Sequence, residues 1–180
     1  MPVPDFSPGE VLTAAAMDSI GLWLVKTQTV GTGVSTVVVS DAFSANYERY
    51  LITVDRCQGS TTADLRLQLG ATTAGYNGFI MYGITSGTSL FGINQSAAAN
   101  FGYVGSLASG GKTTSHITLV SPFTADRTYL SCPYIGATSA NAFGNYQAML
   151  DNTTSYTAFT LIPGAGTLTG GTIRVYGYRN

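Results

Sequence analysis

Few side chains in this sequence can move protons, hold metals or attack carbonyls. His116 is the only histidine, in Thr114-Ser115-His116-Ile117-Thr118-Leu119-Val120. On a strand it shares a face with Thr118 and Val120, opposite Ile117 and Leu119. No carboxylate or cysteine lies near it in sequence, so neither a nucleophile relay nor a metal cluster is signalled. Glu10 and Glu48 are the only glutamates. Glycoside hydrolysis needs two carboxyl groups facing one bond, whereas Asp41, Asp55, Asp64, Asp126 and Asp151 fall at turns or strand edges, where aspartate commonly starts a turn. Gly31-Thr32-Gly33 lies between two β-type runs, and Gly110-Gly111-Lys112-Thr113-Thr114 lacks the upstream spacing of a phosphate loop. Both read as tight turns. The inventory predicts no enzyme activity, no metal and no cofactor.

One group of residues suits binding instead. Tyr76, Asn77, Phe79, Tyr82, Phe91, Asn94, Asn100, Phe101 and Tyr103 crowd into the segment 76–103. Aromatic rings beside amides give stacking surface with adaptable hydrogen bonds, as a glycan site requires. Tyr76, Asn77, Tyr82, Phe91, Asn94, Phe101 and Tyr103 are the candidate contacts of such a site. The competing reading is that about half of these rings fill the core.

The elements that must position them are strands. Period-two runs rich in β-branched and aromatic residues occur at 49–55, 64–69, 78–84, 114–120, 127–134, 145–150, 156–162 and 172–178. Turn residues such as Pro163-Gly164-Ala165-Gly166 separate them. Residues 22–30 and 34–39 flank a Gly-rich link and read as a hairpin. The stretch 85–111 reads either as two irregular strands or as a long surface loop. About ten short strands without a long helix predict an all-β fold, a jelly-roll-like β-sandwich spanning 22–180. Residues 1–21 differ. Pro2, Pro4 and Pro8 stiffen the opening, Thr13 caps a short helix over 14–20, and Gly21 ends it. A helix that short does not hold alone in water, so this arm must dock. Its apolar residues Phe6, Val11, Leu12, Met17 and Ile20 are the candidate attachment groups.

Charge limits the partners. Only 9% of residues are charged, and 8 basic against 9 acidic residues give a net charge of −1. Typical domains carry about 25% charged residues. Without a basic patch, nucleic-acid binding is not expected. No apolar run approaches a membrane span, so no membrane insertion is expected. The opening residues lack a positive region and an apolar core, so no export signal is expected, and Cys57 and Cys132 should be reduced thiols. A surface so poor in charge predicts assembly with other copies.

Two regions resemble a known family. Phe6-Ser7-Pro8-Gly9-Glu10-Val11-Leu12-Thr13-Ala14-Ala15-Ala16-Met17-Asp18-Ser19 resembles the arm that opens many tail-fibre, tailspike and other virion proteins of tailed bacteriophages. Ala16 replaces that pattern's acidic residue, and Asp18 replaces its Asn. The closing segments Thr153-Thr154-Ser155-Tyr156-Thr157-Ala158-Phe159-Thr160-Leu161 and Gly170-Gly171-Thr172-Ile173-Arg174-Val175-Tyr176-Gly177-Tyr178 resemble small β-rich proteins of phage structural gene clusters. The resemblance implies a virion surface protein, commonly a homotrimer, assembled in the host cytoplasm beside other phage structural proteins. It carries no catalytic residues. The expected function is a tail-fibre or tail-tip component touching host surface glycan. The alternative is a capsid decoration (cement) or head-fibre protein anchored on the capsid lattice.

Overall fold

The computed structural model describes residues 21–136 and 141–178. The helix and attachment residues expected within 1–20 lie outside this range. Thirteen strands occur among the described residues: β1 Leu22–Thr29, β2 Val37–Val39, β3 Arg49–Gly59, β4 Ala63–Leu69, β5 Tyr76–Ile84, β6 Leu90–Ala98, β7 Phe101–Leu107, β8 Thr113–Val120, β9 Thr128–Gly136, β10 Ala142–Leu150, β11 Phe159–Pro163, β12 Leu168–Thr169 and β13 Thr172–Tyr178. They form two antiparallel sheets. The larger runs β1-β13-β3-β8-β9-β10-β5-β6, with β12 beside β3, and the smaller runs β2-β11-β4-β7.

The expected hairpin over residues 22–39 does not form. β1 pairs with β13, Leu22 opposite Tyr178, while β2 pairs with β11 in the other sheet. The Gly-rich link carries the chain from one sheet to the other. Pairing across most of the chain prevails over the local turn, because it buries Val37 and Val39 beside Phe159 and Leu161. The segment 85–111 holds strands rather than a long loop.

This alternation recurs. The strands β1, β3, β8 and β13 neighbour one another in the order β1-β13-β3-β8, and β2, β4, β7 and β11 follow the same rule as β2-β11-β4-β7. In both sets, numbered along the chain, the order is first, fourth, second, third. Two hairpins, β5–β6 and β9–β10, are added to the larger sheet and widen it by four strands.

Alternation decides what is buried. In β8, Ser115, Ile117 and Leu119 point inward and His116 points out. Ile52, Val54, Ile173 and Val175 of the larger sheet share one core with Leu65, Leu67, Leu69 and Leu161 of the smaller. Hydrogen bonds cross between the sheets. The Tyr76 hydroxyl accepts from Leu69 N at 2.8 Å, the Tyr134 hydroxyl donates to Asp64 at 2.9 Å, and Cys132 Sγ donates to Val104 O at 3.3 Å. The Tyr146 hydroxyl accepts from Gly102 N at 3.3 Å and donates to Gln95 Oε1. Buried hydroxyls require such partners, and these fix the added hairpins to the smaller sheet.

Candidate functional site

The seven candidate contact residues separate into different environments. Tyr76 and Phe101 are fully buried and meet edge to face at 4.8 Å, so these two are core residues and not surface contacts. Each falls on the inward phase of its strand, which local sequence does not reveal. Asn77 is engaged internally: its amide donates to Gly75 O at 3.1 Å, and its Oδ1 accepts from Ala97 N at 2.9 Å. Tyr82 and Phe91 stack at 5.5 Å across the β5–β6 ladder on its inner side. Asn94 faces outward beside Phe79. Tyr103 lies against Tyr146 at 5.5 Å and borders a cleft of about 240 Å³ with Asp64, Arg66 and Gln95. Tyr82, Phe91 and Tyr103 therefore gather on the inner side near Tyr134 and Asp64, while Asn94 faces the other way and Tyr76 and Phe101 are withdrawn into the core.

Burial pushes the Asp64 carboxyl above the ordinary aspartate value, opposed by the Tyr134 hydrogen bond and by Arg66. Burial likewise pushes the Cys132 thiol up to about 12. Cys57 and Cys132 are both free and buried. His116 stands on the exposed face of β8, and among the described residues no three His, Cys, Asp or Glu side chains gather as a metal site would require.

A charged groove of about 600 Å³ is lined by Arg56, Lys112, Arg174, Asp55 and the Gly170-Gly171 turn. It draws three basic residues from a chain that has 8. Arg56 sits in the left-handed region at φ 59, where the β3–β8 register shifts between Val54 and Cys57. Gly171 is required opposite: a Cβ there would stand 2.6 Å from Asp55 O, and its φ is 95. Arg174 Nη1 pairs with Asp55 Oδ2 at 2.7 Å. Arg56 and Lys112 have no ion-pair partner among the described residues. The groove therefore has two uncommitted cations, suited to a carboxylate, phosphate or sulfate. Sequence reasoning missed it because its residues come from three separate segments.

Sequence reasoning also missed the apolar character of the outer face of β5, β6, β9 and β10, where Phe79, Met81, Leu90, Tyr129, Ile135 and Phe143 are exposed. The available signal was the run Phe79-Ile80-Met81, apolar on both phases of a strand.

Among the described residues no helix is long and apolar enough to cross a membrane. No protein-family model matches this chain, and no curated protein matches it in sequence. Among solved structures it is similar to infectious bursal disease virus Gt strain at 11% identity and a TM-score of 0.14, covering 99% of this chain and 46% of that one. For infectious bursal virus derived T=1 particles the figures are 11% and 0.17, covering 99% and 44%. For the VP2 subviral particle of infectious bursal disease virus they are 12% and 0.14, covering 100% and 47%. The chain thus spans less than half the length of these neighbours. At these scores the likeness carries no argument about fold or function.

Proposed function

We propose that this chain is a non-enzymatic structural protein of a virion, a homotrimer at the particle surface of the tailed-bacteriophage type. The observation that carries the reading is the strand order. Each four-strand set runs first, fourth, second, third, which is the order of a jelly roll with two added hairpins. Jelly rolls serve capsid and lectin domains among others. The resemblance of the arm over residues 6–19 to virion attachment arms supports the same conclusion, and Phe6, Val11, Leu12, Met17 and Ile20 are its proposed anchoring groups.

Two observations favour different positions on the particle. The groove with unpaired Arg56 and Lys112 supports a tail-fibre or tail-tip component that meets acidic groups of host surface glycan. The burial of Tyr76 and Phe101, and the turning of Asn94 away from Tyr82, Phe91 and Tyr103, support the capsid decoration or head-fibre reading. Counting copies per purified particle by quantitative gel tests both: hundreds indicate the head, a handful indicate the tail, and none sinks the virion reading. Loss of adsorption in Arg56→Ala/Lys112→Ala particles with unchanged copy number is the result expected of a host contact.

A further inference from the structure

Sheet edges expose unpaired backbone groups, and proteins blunt them with charge, bulges, short strands or cover. Among the described residues, three of the four sheet edges are blunted. β1 carries Lys26 and a register shift between Leu24 and Lys26. β2 has 3 residues. β7 is almost wholly buried. The fourth edge, β6, is 9 residues long and has neither charge nor proline. Its ladder with β5 is regular from Leu90 to Gln95, and the irregularity follows at its far end.

The surface around β6 is unusual in the same sense. The strands β5, β6, β9 and β10 have 9 residues each and contain no Asp, Glu, Lys, Arg or His. Their outer face exposes Phe79 at 50%, Met81 at 54%, Ile135 at 55% and Phe143 at 53%. The opposite side of β6 exposes Phe91 at 40% and Ile93 at 38%. From strand spacing and rise, the outer face measures about 600 Å², near what one partner contributes to a small stable interface. Scattered exposed apolar residues need no explanation, but a continuous charge-free sheet of this size does.

We propose that a second copy of this chain covers this surface through a head-to-tail contact, in which the β6 edge of one copy, with Phe91 and Ile93, packs on the outer face around Met81 and Phe143 of the next. The inference rests on the homotrimer reading and names its interface. Two different uncharged surfaces on opposite sides of one edge, the outer one mixing its apolar side chains with Asn94, Asn145 and Gln147, fit a heterologous contact, which makes a ring where its rotation closes and a filament where it does not; a two-fold contact would reuse one surface and leave the other bare. A second copy fits better than a charged partner, because neither surface strands a charge when buried.

Light scattering on the full-length protein tests the proposal. At 10 μM (a concentration chosen for the assay) the wild type should run at three times 18.8 kDa. Met81→Lys and Ile93→Lys should each give monomer with the wild-type circular dichroism spectrum, and Val38→Lys, at the exposed position of β2, should leave the trimer intact. A mixture of the Met81→Lys and Ile93→Lys proteins should form a one-to-one dimer, since one intact pair of surfaces remains. A Met81→Cys/Ile93→Cys double variant should form intermolecular disulfides on oxidation, which keeps the test decisive if a lysine variant fails to fold. A monomeric wild type overturns both this interface and the trimer reading. A trimer that survives both lysine substitutions, or a double-cysteine protein that does not cross-link, overturns the interface alone. Separate proteins that dissociate but never recombine overturn the head-to-tail geometry.

Discussion

Replacing Tyr76 with Phe isolates one hydroxyl in a position the sequence presents as a binding ring. The Tyr76 side chain is fully buried and its ring meets Phe101 edge to face at 4.8 Å. Phe keeps that ring, so the contact and the volume persist. What is lost is an acceptor for Leu69 N–H at 2.8 Å and a donor to Thr72 O at 3.3 Å. Leu69 is also buried, so its amide would be left without a partner. Stranding a buried donor costs about 1–3 kcal/mol. For a domain of this size 1 kcal/mol moves the melting temperature by about 2–4 °C, so Tyr76→Phe should melt roughly 2–12 °C below wild type. Thermal circular dichroism measures this, with urea unfolding as the check at 25 °C. A variant melting within 1 °C of wild type, an interval well inside the method's reach, would refute the claim that this bond joins the sheets.

Asp64→Asn keeps an acceptor for Tyr134 and removes a carboxyl whose folded-state value is raised by burial. A raised carboxyl value means the folded protein binds the proton more tightly, so wild-type stability falls as pH rises through that range. The variant should gain stability relative to wild type between pH 4 and pH 7 in urea titrations, and a gap that is flat or narrows would contradict the assignment. Cys132, its thiol pushed up to about 12, should resist iodoacetamide at pH 8 in the folded protein and react on unfolding, as read by mass spectrometry. Deleting residues 1–19 should leave the β-body folded by circular dichroism and abolish incorporation into particles; failure to fold would make the arm part of the core.

Some of this fold is legible in the sequence and some is not. The β8 stretch reads correctly because His116, Thr118 and Val120 alternate with Ile117 and Leu119, and period two needs only local information. Residues 22–39 mislead because a Gly-rich link between β-branched runs has the chemistry of a hairpin, while the true partners lie at the far end of the chain. Tyr76 and Phe101 mislead for a related reason: aromatic rings serve cores and binding surfaces alike, and only the register of β5 and β7 decides between them. The basic groove was illegible because a bulge at Arg56, the residue before β8 and the Gly170-Gly171 turn meet only in three dimensions.

The ladder joining β1 to β13 sets the order of events during synthesis. Thr29 finds its partner in Thr172 and Leu22 in Tyr178, so β1 leaves the ribosome long before the strand it needs exists. β3 also takes β13 as a neighbour and waits with it. Such distant pairings fold slowly and leave apolar strands uncovered in the interval. The uncharged β6 edge is made during that wait. Chaperone demand should therefore peak while the middle of the chain is exposed, and a ribosome stalled before residue 172 should yield an aggregate rather than a partial fold.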